Sequence, residues 1–235
     1  MNLKVITLIV FSLSFLQGYN CSAQNQAKII YSYKGYTYEN RKIHESKESF
    51  IDRYNKSLED FRHELTYDGK NILFRIADEM ITDNKSNLSK MLYKTMPDTF
   101  ISLNKKTLLH KIEISGNTFV IKDSLSNKWS ITNEIKNISG YKCQKAILKD
   151  NETNKIIVEA WFTKEIPLPI GPSTYTGLPG LIIKLTVLDI NQKPSIEYNV
   201  EDIDLSPQKE IKLPKQKTIS MDEFNEILNG TRSRF

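Results

Sequence analysis

The chain is poor in cysteine, with two in 235 residues, Cys21 and Cys143, and only Cys143 lies beyond the N-terminal leader described below. A single thiol cannot close an internal disulfide, so the fold must rest on a hydrophobic core rather than on covalent staples. Metal-ligand spacing is also missing. The three histidines, His44, His63 and His110, sit in separate segments, and no HExxH or CxxC pattern occurs. Without a GxSxG elbow, a Walker loop or a GxGxxG turn, hydrolase, nucleotide and dinucleotide chemistry lose their usual supports. Acidic pairs such as Asp78-Glu79 and Glu201-Asp202 point to opposite faces if they lie on strands, so they stay solvated rather than share a proton. No catalytic residue, metal ligand or cofactor is assigned, and the reading is of a protein that is not an enzyme. The net charge of +5 is spread along the chain rather than gathered in one arm, which does not make a nucleic-acid footprint.

The first 23 residues form a recognisable unit. Met1 to Lys4 is a short basic region, Val5 to Leu16 is an apolar run too short to span a bilayer comfortably, and "CSAQ" offers small residues at a cleavage site after Ala23. This predicts a signal peptide over 1–23 and an exported β-rich domain over 24–235 in the periplasm or at the inner face of the outer membrane, with no transmembrane span. The alternative, lipidation of Cys21, meets Asn20 directly before the cysteine, a poor lipobox.

Beyond the leader, period-two segments recur between turn residues: "AKIIYSY", "FRHELTY", "NILFRIA", "LLHKIEI", "TFVIKDS", "KWSIT", "YKCQKAIL", "KIIVEAWF", "LIIKLTVL" and "SIEYNV". Alternation of this kind marks strands, and Asp68-Gly69 and Gly116-Asn117 are hairpin signals because tight turns need positive φ. The pattern predicts a mainly β (α+β) protein with about ten antiparallel strands. Ser46 to Phe61 carries Phe50, Tyr54, Leu58 and Phe61 on one stripe and reads as a helix lying on the sheet. Ser220 and Glu223 form a capping box, with Ile219 and Phe224 as its staple and Gly230 as the stop of a C-terminal helix. The segment from Asn199 to Gln216 reads as an edge strand running into a connector, and "TDNKSNLSK" as an exposed loop. Cys143, between Lys142 and Lys145, reads as a small half-buried strand residue and, in the other reading, as a thiol tuned by the two lysines.

One segment does not fit the rule that long connections are polar. Trp161 to Ile182, "WFTKEIPLPIGPSTYTGLPGLI", holds four prolines and three glycines yet is apolar throughout. Pro167, Pro169 and Pro172 fix φ and push their predecessors to extended conformations, which predicts a rigid polyproline-like arch with few internal hydrogen bonds. Gly177 and Gly180 bracket Leu178-Pro179, permitting close approach while Leu178 and Leu181 enter an apolar space and Trp161 and Tyr175 stand at its rim. Two readings stay open. The arch is either a plug sealing the β core or the lid of a ligand cavity, in which case Trp161, Pro169, Gly171, Pro172, Tyr175, Gly177, Leu178, Pro179, Gly180 and Leu181 are the binding residues. The flanking strands sharpen the question. In "KIIVEAWF", Ile156, Val158, Ala160 and Phe162 share one face, and the other is still largely apolar. In "LIIKLTVL", Leu181, Ile183, Leu185 and Val187 share a face. Both strands should need cover on two sides.

The blocks "GYKCQKA" at 140–146, "AWFTKEIP" at 160–167, "GP" at 171–172 and "GLPGLI" at 177–182 resemble the GLPGLI family of exported bacterial proteins, typical of Bacteroidetes-type cell envelopes. The resemblance implies compartment and membership but no substrate, since the family's activity is unknown. An aromatic that usually follows the "GP" is replaced by Ser173, with Tyr175 nearby. By analogy of fold alone, an exported sheet of this size with helices on one face resembles the half-barrel of periplasmic lipoprotein carriers. The function expected first is therefore a binding or chaperone-like envelope protein with an apolar cavity for a lipid or other hydrophobic ligand. The alternative is a structural partner of an outer-membrane protein complex, and an enzyme with an unrecognised site comes last.

Overall fold

A computed structural model describes residues 26–36, 50–59, 61–77 and 87–232. The expected leader, His44, Asp78-Glu79 and the start of the first helical stripe lie outside them. The sequence pattern is realised as one mainly β architecture in which twelve strands share a sheet, in the order β12-β6-β5-β4-β3-β2-β1-β11-β10-β9-β8-β7. The strands are β1 (Ala27–Gly35), β2 (Arg62–Tyr67), β3 (Asn71–Ile76), β4 (Asp98–Ser102), β5 (Thr107–Ile114), β6 (Asn117–Ser124), β7 (Ser130–Ile138), β8 (Tyr141–Lys149), β9 (Ile156–Thr163), β10 (Leu181–Leu188), β11 (Pro194–Asp204) and β12 (Thr218–Ile219). All pairs are antiparallel except β12 with β6. Two meanders are visible, β1 to β6 running outward and β7 to β11 running back to pair with β1.

That topology forces curvature. Strands β6 and β7 stand ten positions apart in the sheet, about 48 Å if it were flat at roughly 4.8 Å per strand. They are joined only by residues 125–129, and the six steps from Ser124 to Ser130 reach about 22 Å fully extended. The sheet therefore curls into an open half-barrel. Its interior is one apolar cluster drawing Ile29 and Tyr31 from β1, Leu65 from β2, Ile72 from β3, Ile101 from β4, Leu108 from β5, Cys143 from β8 and Leu181 and Ile183 from β10.

Three helices accompany the sheet: α1 (Phe50–Glu59), α2 (Asn87–Thr95) and α3 (Met221–Arg232). Helix α1 packs on β1 and α2 on α1 and β5. Leu58 and Phe61 are buried with Tyr33 and Ile76, as the helical stripe predicts. The capping box of α3 is present, with Glu223 N–H donating to Ser220 Oγ (3.1 Å) and Ser220 N–H to Glu223 Oε2 (2.7 Å).

Several expectations are corrected. There are twelve strands, since β4 and the two-residue β12 were not anticipated. Asn87 to Lys90, placed in a loop, begins α2. Gly230 does not stop α3, which runs on to Arg232. Strand β11 is central rather than an edge, flanked by β1 and β10. On β10, a bulge between Ile182 and Lys184 breaks the alternation. Ile182 and Leu185 thus share one cluster with Phe162 and Ala160, while Leu181 and Ile183 join the interior one. The second face of β9 is more open than expected, with Trp161 half-buried and Ile157 exposed.

Candidate functional site

The arch leaves β9 at Thr163 and returns at Leu181, the first residue of β10, which pairs with Thr163. Pro167 and Pro169 each sit at the centre of an i to i+2 hydrogen bond, Leu168 N–H to Ile166 O and Ile170 N–H to Leu168 O, both 2.8 Å. Two consecutive γ-turns replace the expected polyproline run, and they give the segment a period of two. Ile166, Leu168 and Ile170 are buried, Pro167 is exposed and Pro169 is half-buried. The returning limb is tied to the outgoing one by Gly177 N–H to Pro169 O (3.0 Å), Leu181 N–H to Ile166 O (2.9 Å) and Ile182 N–H to Ile170 O (3.1 Å). The expectation of few internal hydrogen bonds is therefore overturned.

External ties complete the fixation. Asn127 Nδ2 donates to Thr174 O and Trp129 Nε1 to Thr176 O, both 2.8 Å, so the link between the meanders holds the crown of the arch. Lys142 N–H donates to Glu165 Oε1 (2.9 Å), and the Tyr31 hydroxyl donates to Ile182 O (2.8 Å) from a fully buried position. Burial pushes the phenols of Tyr31 and Tyr175 upward.

The expected insertion of Leu178 and Leu181 is present: both are buried, Leu178 beside Tyr175 in the cluster of Ala146, Ala160 and Phe162, and Leu181 in the interior cluster with Ile166, Leu168 and Ile170. Cys143 and Ala146 belong to these two clusters from opposite faces of β8, which is regular between them. One segment thus covers both faces of the sheet end. Gly171, Pro172 and Gly180 are buried, Gly177 (φ 93) and Pro179 are exposed, and Tyr175 and Trp161 are half-buried. Trp161 packs against the interior cluster from β9, its ring 5.9 Å from Lys145 Nζ.

Little of this is reactive. The Cys143 thiol is fully buried rather than half-buried. Burial first, and then the Glu165 charge, push it up to about 11, so Lys142 and Lys145 do not make it a thiolate. His63 is buried among aromatics, stacked on Phe74 at 5.3 Å and edge-on to Tyr198 at 5.6 Å, and burial lowers it to about 4. His110 lies 3.1 Å from Thr99 Oγ1. Among the described residues no three His, Cys, Asp or Glu side chains gather where a metal ion could be held.

An open space lies elsewhere. A cavity of about 720 Å³ opens between α2 and the ends of β3, β4 and β5. Ile76, Met91, Tyr93, Met96 and Ile114 supply its apolar lining, with Arg75, Lys94 and Lys111 against Asp98 and Glu113. Sequence reasoning passed over it because α2 was hidden in an Asn/Ser-rich tract. The available signal was Leu88, Leu92 and Met96 at four-residue spacing, followed by Pro97.

Fold and site together define an open, curled, antiparallel-rich β protein whose proline-rich connection packs across one end of the sheet. A family model described as a protein of unknown function (Porph_ging) matches residues 149–184, the span of β9, the arch and the start of β10. No curated protein matches the chain. Among solved structures, PNGF-II in space groups P21 and C2 is similar at 14% identity and TM-score 0.56, over 88% of this chain. The chain spans about a third of PNGF-II, 34% and 33% in the two forms. At that identity the likeness shows the fold alone. An uncharacterized conserved protein from Thermus thermophilus aligns over 88% of this chain and 97% of its own, at 7% identity and TM-score 0.41.

Proposed function

We propose that this is a non-catalytic binding protein of the cell envelope that holds an amphiphile, an apolar body with an acidic head group, in the cavity beside α2. The observation that carries this reading is the cavity itself. Its volume of about 720 Å³ is that of a small-molecule site, and its lining is mixed apolar and basic. Arg75 also pairs with Glu64 (3.3 Å) and Lys111 with Glu113 (3.6 Å), so Lys94 is the lining cation offered to an anionic head group at the polar side. The cavity supports a binding role better than the arch does, because the arch's apolar side chains pack in the two clusters and its backbone is tied along both limbs. The test is native mass spectrometry of the purified protein together with binding of an anionic fluorescent fatty acid. Ile114→Trp, which puts a bulky ring into the apolar part of the cavity, should weaken binding strongly while leaving thermal stability close to that of the parent. Unchanged binding in that variant would refute the cavity as the site.

Export belongs to the same proposal and rests on the basic, apolar and small-residue pattern ending at Ala23. N-terminal sequencing of the secreted protein should begin at Gln24, and a chain beginning with acylated Cys21 would refute soluble export.

A further inference from the structure

We propose that β7 pairs antiparallel with β7 of a second copy of this chain, in the register centred on Ile135. Among the described strands β7 is an edge of the sheet, nine residues long, bonded to β8 alone. A free edge presents unpaired peptide groups to any strand that fits. Ser139 and Gly140, at φ 51 and 83, form the two-residue turn to β8, with Ile138 facing Tyr141 across it. Residues flanking such a turn direct their peptide groups at each other, and the direction alternates along the strand. Ile138 and Lys136 therefore spend theirs on β8, and Asn137 and Ile135 turn theirs to the open side.

The side chains select the register. A two-fold axis at Ile135 sets Ile135 against its own copy and Glu134, the last bulge residue beside it, against Lys136, twice by symmetry. Moving the axis by one residue, a two-residue slip of one strand past the other that keeps the same peptide groups facing the seam, sets Glu134 against Glu134 on one side or Lys136 against Lys136 on the other, each a like-charge pair directly across the strands. Glu134 and Lys136 are both exposed, and Glu134 forms a loose ion pair with Lys145 at 3.7 Å. Ile135, with 60% of its surface exposed on a strand, gains cover only in the paired state. The bulge opposite Lys145, between Ile131 and Ile135, ends the regular edge on that side. The contact is therefore short, which fits a weak, concentration-dependent dimer rather than an obligate one.

The proposal stands apart from the cavity and is tested without a ligand. Sedimentation velocity on the full chain, from dilute solution to the solubility limit, should show a monomer–dimer equilibrium. Lys136→Glu makes both cross-strand pairs repulsive and should weaken it about tenfold or more. Adding Glu134→Lys to that variant should restore most of the loss. Register is read by mild oxidation. Ile135→Cys should form a disulfide dimer, since a pair directly across a hydrogen-bonded site stands about 5.5 Å apart, while Glu134→Cys should not. A monomer at every concentration, a Lys136→Glu variant that associates as well as the parent, failure of the charge swap to restore association, or faster cross-linking of Glu134→Cys would overturn the proposal.

Discussion

Replacing Gly180 with alanine puts a methyl group where the main chain of β9 already runs. Its added Cβ would fall inside the contact radius of Thr163 O, 2.7 Å from Thr163 C and 3.2 Å from Lys164 N. All three are backbone atoms at the point where β10 joins β9, so no side chain can swing aside. To restore ordinary contact the two strands must part by an ångström or more. That strains the hydrogen bond from Leu181 N–H to Ile166 O and lifts Leu178 and Leu181 partly out of their clusters. One weakened main-chain bond costs about 1 kcal/mol, and partial exposure of two leucines adds about 1–3 kcal/mol. The expected loss is about 2–4 kcal/mol, with valine at least as damaging. Gly177 is the internal control. It has φ 93 with open space around the missing Cβ, so Gly177→Ala should cost only about 1 kcal/mol, from backbone strain. Urea unfolding followed by tryptophan fluorescence measures both, since Trp129 is bonded to the arch and Trp161 lies on the strand that feeds it. If Gly180→Ala proves no worse than Gly177→Ala, the close approach to Thr163 is not what demands glycine.

The plug reading predicts that Leu178→Ala lowers stability by about 2–5 kcal/mol and leaves binding of an anionic fatty-acid probe unchanged, whereas a lid would show the reverse; thermal unfolding and probe titration on one sample decide it. His63, neutral when folded at about 4 against 6.5 when exposed, makes stability fall with acid. The unfolded chain takes up the proton first, so the loss begins as pH drops through 6.5 and is complete near 4, amounting to about 2–3 kcal/mol at pH 4.5. His63→Phe should remove that part of the pH dependence, and a variant with the same slope as the parent would refute the assignment. Cys143 should resist maleimide in the native state and react on unfolding, and Cys143→Ala should cost about 1 kcal/mol; rapid native labelling would contradict its burial.

How far the fold could be read in advance depended on which residues leave a local mark. Strands such as β1 and β3 were legible because one face is buried and the other half-buried along their length. Strand β4 is five residues, "DTFIS", with four of them buried, so it shows no alternation. Strand β12 is a two-residue parallel bridge with no pattern to show. Strand β11 misled for a physical reason. Its outer face is built from charge pairs, Glu197 with Lys184 at 2.7 Å and Glu201 with Arg62, and a central strand with one charged face has the composition of an edge. The β10 bulge was invisible because an inserted residue carries no compositional signature, yet it reassigns Leu185 and Val187 to another cluster.

At the arch, residue type gave the stiffness and the buried leucines but not the hydrogen bonding. Proline fixes φ near −65°, which polyproline and the inverse γ-turn share; they differ by roughly 80° in ψ, which proline leaves open. The choice was made by the surroundings. Turning at Pro167 and Pro169 brings Ile166, Leu168 and Ile170 to one side at the spacing the interior cluster accepts, and it presents the carbonyls of Ile166, Pro169 and Ile170 to the returning limb, with Ile166 O accepting from both Leu168 and Leu181. The same link that curls the sheet, residues 125–129, holds the crown through Asn127 and Trp129. Curvature and closure are therefore coupled. A flat sheet could not bring the link to the arch, and without the arch the curled sheet would expose Cys143 and Leu181 on one face and Ala146 and Phe162 on the other. An apolar, proline-rich connection belongs at this place because it must pack on two faces while keeping its own backbone satisfied.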